Sequence, residues 1–521
     1  MADADYIIVG SGINALVAAA LLGRKGRNVL VLERNSEIGG CIRTEEVTAP
    51  GFIHDVMATT FVLFVTGKAY AALGDGLAKH GLEFANSAKP AAVLRPDGSA
   101  RVLTMDRTRN IALFAEDGDA YRRAVESVGA DMDLTFGLLG GNLWSPGTAA
   151  MLARQGLRLG PRGLAGFFGE ALLSARAWLE ADFRSELSQA LLAPWVLHVG
   201  LGPESAYSGM MLKVIAFALE AAGAPIVKGG ARNLLEAFRR LIEEQGGRIR
   251  TAADVARIAL DRGTARGVRL ADGSDITAGE GVICSTTPHQ LYTRLLDPES
   301  VPPDVAASVR RFRHGKGNMQ IHYALSAPPQ WRSPDLDGVA LTHLTPGLDG
   351  VSRAANEAER GMLPALPTIC AGQPVALDPS RCPDGASILW LQLPEAPGRI
   401  KGDAAGEIAI PGDGAWSDAV RERYADRVET ILADHIDGFR ASIVGRRVYA
   451  PADLERLNVN LTGGDPYGGF CGIDQFFLWR PFKNSINHRT HVKRLYHIGA
   501  STHPGPGLGG GSGYLLADSL R

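Results

Sequence analysis

The chain has 521 residues, 45% hydrophobic and 21% charged, with a formal net charge of -2. At roughly 100–200 residues per domain this length predicts two to four domains, and the apolar fraction excludes wholesale disorder. The near-neutral charge, with Lys and Arg scattered, predicts no nucleic-acid partner. Glycine is in excess: 63 residues, about 12% of the chain against roughly 7% on average.

The five cysteines (Cys41, Cys284, Cys370, Cys382, Cys471) include no C-x-x-C pair, which predicts neither a disulfide framework nor a metal centre. The first residues run straight into a strand-like segment without a basic, cleavable leader, so no signal peptide is expected. Two weakly charged stretches, 134–153 and 187–203, are interrupted by Gly, Pro and polar residues and do not read as membrane spans. A cytoplasmic protein is expected, with peripheral membrane contact left open.

In chain order, the first element is a β-branched run, Tyr6 to Val9, followed by Gly10-Ser11-Gly12-Ile13-Asn14-Ala15 and an Ala/Leu-rich helical stretch. A second apolar run, Val29 to Leu32, ends at Glu33, 21 residues after Gly12. Strand, G-x-G-x-x-A, helix, strand and acid together predict a dinucleotide-binding turn. Gly10 permits the tight turn, Gly12 lets a pyrophosphate approach the helix N-terminus, and Asn14 lies in the same loop. Ala15 lets the helix pack on the strand, and Glu33 accepts the ribose hydroxyls.

Beyond Glu33 come Arg34, Gly39-Gly40, Arg43-Thr44 and Gly51-Phe52 with Asp55. This resembles the extended motif of the large FAD-dependent oxidoreductase superfamily that includes amine oxidases and phytoene desaturases. The resemblance implies FAD rather than a nicotinamide cofactor. It places Gly39 and Gly40 against the pyrophosphate, Arg43 as a positive charge beside it, and Arg34 next to the ribose acid.

In the middle of the chain, Pro225, Gly229, Gly230 and Leu234 precede an amphipathic helix over 233–245. Short strands are predicted around Arg248–Arg250, Val255–Ile258, Gly267–Leu270 and Val282–Thr286. Resemblance places the backbone of Val255 against the adenine. Gly200-Leu201-Gly202, after an apolar run, reads as a helix ending at glycine rather than as a second nucleotide site.

Residues 157–179 mix Arg with Leu, Phe and Trp. Packing inside the protein or in a homo-oligomer is expected there, with a membrane-surface helix as the alternative. Asn318 to Leu325 alternates, predicting a half-buried strand. A helix is predicted over 416–436 with Ser417 as its N-cap. Tyr467, Phe470, Phe476, Phe477 and Trp479 offer either a wall for an apolar substrate or core filling.

The chain closes on Gly499-Ala500-Ser501-Thr502-His503-Pro504 and a glycine run through Gly509-Gly510 into a last helix. No strand and acid follow, so this predicts a second helix N-terminus aimed at the cofactor rather than a second dinucleotide unit. With Asp474-Gln475 and Arg480-Pro481 upstream, it resembles the C-terminal signature of the phytoene desaturase and carotenoid isomerase group. Within that group it is most similar to the pyridine nucleotide-disulfide oxidoreductase domain-containing protein 2 type.

The expectation is an α/β fold: a Rossmann-like, glutathione-reductase-like FAD domain with a second α+β substrate domain built from insertions. The FAD domain is assigned to 1–75, 220–300 and 482–521, and the substrate domain to 76–219 and 301–481. FAD is expected to be noncovalent, because the C-terminal glycine run has no cysteine. The expected activity is hydride removal from an apolar small molecule to form a C=C bond, with oxygen or quinone as electron acceptor. Alternatives are a flavin amine oxidase, a redox-neutral flavin isomerase and a non-catalytic flavin-bound scaffold. His503 is a candidate proton-transfer residue or a structural histidine. Lys316 is a candidate for holding water at the flavin, or a solvated turn lysine.

Overall fold

A computed structural model describes residues 2–520. Two seven-stranded sheets organise it. In the first, strand Ala4–Val9 lies parallel to Val29–Leu32 on one side and to Asp275–Ser285 on the other, with Val9 opposite Leu32 and Cys284. Arg248–Arg250 extends one edge in parallel. The long strand Asp275–Ser285 runs antiparallel to Thr264–Leu270 at its start and parallel to Leu495–Ile498 at its end. The predicted strand–helix–strand unit is therefore joined, in one sheet, to the last strand of the chain.

Helix Ile13–Arg24 buries Ile13 to Gly23 without interruption. This matches its near absence of polar residues, since a helix apolar all round must be covered on every side. The last helix, Gly511–Ser519, lies against it. Asn14 Oδ1 accepts hydrogen bonds from Ser512 N (3.1 Å) and Ser512 Oγ (2.8 Å). A Cβ on Gly513 would sit 1.9 Å from the Asn14 carbonyl oxygen, so only glycine allows this approach. The two ends of the chain meet helix to helix.

The second sheet runs in the order Ile443–Tyr449, Gly317–Leu325, Ser387–Ala396, Ile369–Gly372, Leu341–Leu344, Ala91–Leu94, Ala100–Leu103. One face carries Met319, Ile321, Leu389, Leu391 and Ala371 and packs under helix Asp418–Ala433. That helix is N-capped as predicted, with Ser417 Oγ accepting from Val420 N at 3.3 Å. The strand over 317–325 is not half-buried: all nine of its residues are buried. Its polar residues Asn318 and Gln320 turn away from the apolar core toward an internal cavity, and alternation alone cannot separate that from a solvent face.

Helices between residues 107 and 222 cover this second side, with Trp178, Trp195, Tyr121 and Leu212 in their core. The core-facing expectation for 157–179 is corrected in part. Helix Pro146–Ala171 bends at Gly160 (φ 71°) and Pro161, and only Thr148 and Gln155 are buried in it. Leu157, Phe168 and Leu172 are exposed, whereas Trp178 and Leu179 are buried. Among the described residues no helix is long and apolar enough to cross a membrane. The run before Gly200 is a short 3-10 segment that stops at Gly200 in the left-handed region (φ 75°).

Glu395, on strand Ser387–Ala396, is fully buried and accepts hydrogen bonds from Thr368 N (2.9 Å) and Thr368 Oγ1 (3.0 Å). Burial pushes its carboxyl up to about 8 from 4.5, despite those bonds and the nearby Lys316. The folded state therefore holds a proton that the unfolded chain releases, and stability falls as pH rises between those values. Glu395→Gln should flatten this dependence, removing about 2 kcal/mol of loss between roughly pH 5.5 and 7. Denaturant midpoints of both proteins at the two pH values check it; identical slopes would contradict it.

Candidate flavin and substrate site

The glycine-rich ends open on one cavity of about 950 Å³, near the upper limit of roughly 300–1,000 Å³ for single-ligand sites. Its wall includes Gly10, Gly12, Asn14, Glu33, Arg34, Gly39, Gly40, Val255, Gly499, Ala500 and Gly509. Ala15 and Gly510 stand behind it. Ala15 is fully buried in the first helix, and Gly510 faces Val17 of that helix.

Ser11, an unassigned x of the motif, organises the turn. Its Oγ donates to Glu33 Oε2 at 2.6 Å and accepts from Gly39 N at 3.0 Å. Glu33 also accepts from Ser11 N (3.1 Å) and Asn35 N (2.9 Å). The acid is thus held in place from both sides, with one acceptor site, on Oε1, left for a ligand. Gly39 adopts φ 125°, where a Cβ would meet the Ile42 carbonyl at 2.3 Å.

Gly12 is different. Its φ of -64° suits any residue, and a Cβ there would meet nothing within 4 Å. The protein itself does not need glycine at this position, so the space it leaves belongs to a ligand. An open backbone cradle, a helix N-terminus and a buried acid at the end of the second strand fit FAD: Gly12 and the helix N-terminus would hold its pyrophosphate and Glu33 its ribose. Arg294, which sequence reasoning missed, also lines this end. It is fixed by two 2.7 Å contacts to Asp254.

Three candidates lie off the wall. Arg43 is paired with Glu45 instead of facing the cavity. Lys316 Nζ pairs with Glu359 at 2.9 Å, its side chain only 7% exposed, so it is neither a cavity residue nor a solvated one. His503 is buried, and its Nε2 bonds the Gly141 carbonyl at 2.8 Å. Burial holds its imidazole down at about 4, and it pins the helical layer to the C-terminal loop. The Arg480-Pro481 motif is structural too. Arg480 is buried and donates to the carbonyls of Ala500 (2.7 Å) and Tyr467 (2.6 Å).

The far wall comes from helix Ser208–Ala222, the segment before Gly200 and the second sheet. It presents Trp195, His198, Met211, Ile215, Phe217, Leu341 and Trp390, with Tyr467 and Phe476 from the aromatic stretch. Phe470, Phe477 and Trp479 are not on it. Among the described residues the carboxylates on the whole cavity wall are Glu33 and Asp254. Both sit with the dinucleotide turn. His198, Asn318, Gln320 and Gln392 were not recognisable as site residues, because their grouping depends on sheet register.

The comparisons agree with this geometry. The chain matches the family described as flavin containing amine oxidoreductase over residues 16–362. It is 27% identical to the rat pyridine nucleotide-disulfide oxidoreductase domain-containing protein 2, over 98% of this chain and 92% of that protein. It is 26% identical to a zeta-carotene-forming phytoene desaturase of Myxococcus xanthus, over 96% and 90%. The fold is similar to that of an oxidoreductase from Methanosarcina mazei, with a TM-score of 0.61, 15% identity, and coverage of 99% and 100%. The dinucleotide turn, the joined chain ends and the family match lead to one conclusion: the chain belongs to the flavin containing amine oxidoreductase family and is an FAD-dependent oxidoreductase.

Proposed function

We propose that this oxidoreductase removes a hydride and a proton from adjacent carbons of an apolar small molecule, forming a C=C bond, with oxygen or quinone taking the electrons onward. FAD, when bound, supplies the hydride acceptor. The observation that carries the reading is the far wall: aromatic and aliphatic, with neutral polar groups and no carboxylate. An ammonium substrate, desolvated there, would need an anionic partner. The desaturase among the relatives supports the same choice.

Gly10, Gly12, Asn14, Glu33, Arg34, Gly39, Gly40, Val255, Gly499, Ala500 and Gly509 are proposed to hold FAD, as part of a discontinuous cofactor domain. The exposed Leu157, Phe168 and Leu172 support a membrane-surface or homo-oligomer contact for helix Pro146–Ala171.

The test is anaerobic titration of the FAD-loaded protein. Alkanones are expected to bleach the flavin band near ~450 nm and to return as enones, while primary amines leave it unchanged. Bleaching by amines, with peroxide release in air, would overturn the reading in favour of amine oxidation.

A further inference from the structure

Four adjacent strands of the second sheet place Gln320 opposite Gln392, Gln392 opposite Cys370, and Cys370 opposite His343. Directly opposed residues share a face, so these side chains form one row on the cavity side. His198 reaches this row from the segment before Gly200. Its Nε2 lies 2.8 Å from Nε2 of His343. Trp195 flanks both rings, at 4.7 Å from His198 and 4.8 Å from His343 between centroids.

Burial holds both imidazoles below their usual range, His198 at about 4 and His343 well below 6.5, so both are neutral. A neutral pair in Nε2-to-Nε2 contact shares one proton between those nitrogens, which leaves two arrangements. If His198 donates, the proton of His343 must sit on its Nδ1, which is sealed from solvent and has no partner. If His343 donates, that Nδ1 is a bare lone pair. A buried N–H without an acceptor is the rarer defect. The second arrangement prevails, and it puts the proton of His198 on Nδ1. His198 lines the cavity, and its Nδ1 is not among the sealed atoms that include Nδ1 of His343.

The Nδ1–H of His198 is then a donor on an apolar wall, and it points to an acceptor carried by the ligand.

Resting on the apolar-substrate reading, we propose that His198 is a specificity-determining residue whose Nδ1–H donates to a carbonyl or hydroxyl oxygen of the substrate, with His343 as the positioning residue that fixes its tautomer. The substrate is then an oxygen-bearing apolar molecule rather than a pure hydrocarbon. The Cys370 thiol and one ring nitrogen of each histidine lie within 4.8 Å of one another, but a metal fits poorly. Two nitrogens 2.8 Å apart would subtend only about 86° at a zinc bound at ~2.05 Å, and a ligating histidine normally donates its other N–H to a partner.

The test uses FAD-loaded full-length protein, whose flavin spectrum is recorded first. Absence of flavin bands at that step would overturn the function proposed above, separately from this inference. Calorimetric titration then compares 2-octanone with 2-methyl-1-octene, which has the same shape but no acceptor oxygen. The ketone is expected to bind about tenfold more tightly, and the difference should fall to within about twofold in His198→Leu. No preference for the ketone in the wild type, including binding of neither probe, overturns the proposal. Nitrogen-15 spectra of labelled histidines in the unliganded wild type give an independent reading, assigned with the same variant. His198 is expected as the Nδ1–H tautomer, reverting to Nε2–H in His343→Phe. An Nε2–H form in the wild type, or stoichiometric metal retained by the wild type and lost in His198→Leu, overturns it.

Discussion

Gly12→Val is expected to leave the protein folded and to weaken FAD binding at least ~100-fold, equivalent to about 2.8 kcal/mol. Valine suits the backbone at this position, and its first side-chain atom meets nothing in the protein within 4 Å. The isopropyl group instead grows into the cavity, at the helix N-terminus proposed to hold the pyrophosphate. Gly513→Val makes the useful contrast. Its Cβ would collide with the Asn14 carbonyl at 1.9 Å, so that variant should lose stability as well as cofactor. Fluorescence titration of the apoprotein with FAD, alongside circular dichroism, separates the two. Near-normal FAD affinity in a folded Gly12→Val protein would contradict the assignment of this space to the cofactor.

Arg381→Met should destabilise the protein by about 3–5 kcal/mol, because it strips the counter-charge from buried carboxylates. Arg381 is fully buried. Its guanidinium contacts Asp55 Oδ2 at 3.1 Å, Asp378 Oδ2 at 2.9 Å and the Val227 carbonyl at 2.6 Å. Asp55 in turn accepts from Thr44 Oγ1 (2.7 Å) and Ala231 N (2.8 Å), and Asp378 accepts from Gly229 N (2.7 Å). This node ties the extended motif after Glu33 to the start of helix Arg232–Glu244, which packs under the first sheet. Adding Asp55→Asn and Asp378→Asn to Arg381→Met should recover part of the loss, since neutral amides are less costly to bury unpaired. Chemical denaturation followed by circular dichroism measures both; a loss below about 1 kcal/mol for the single variant would show that water or another cation replaces Arg381.

The same node shows how far a motif can be read. Thr44, Asp55, Gly229 and Gly230 stand out in the sequence as anchors of a cofactor-binding family. In the structure Thr44 and Asp55 bond to each other and to the backbone just after Gly230, and Gly229 bonds to Asp378, around an arginine that lies more than 300 residues beyond Asp55 and belongs to no motif. Arg43 shows the opposite outcome. It was expected beside the pyrophosphate because of its place in the motif, yet Glu45, two residues on, captures it. A local ion pair of that kind is invisible to a pattern that records residue types but not side-chain direction.

What the sequence determined by itself is the cofactor end. Strand, glycine turn, helix and acid lie within about thirty residues, and local backbone chemistry is enough to recognise a turn that cradles phosphate. The glycine excess is part of that record, with fourteen of the 63 glycines in residues 10–51 and 499–513. That these two stretches share one wall was expected and needed only the last strand to join the first sheet. The tertiary structure alone decided the far wall, the proposed substrate end. Gln320, Gln392, Cys370 and His343 come from four separate strands, and His198 from a fifth segment; register and packing, not spacing, bring them together. The same holds for Lys316 and His503, whose residue types suggested chemistry while their partners, Glu359 and the Gly141 carbonyl, make them structural. Chemistry carried by a contiguous turn is written in the sequence. Chemistry carried by a row across strands exists only after the sheet has chosen its register.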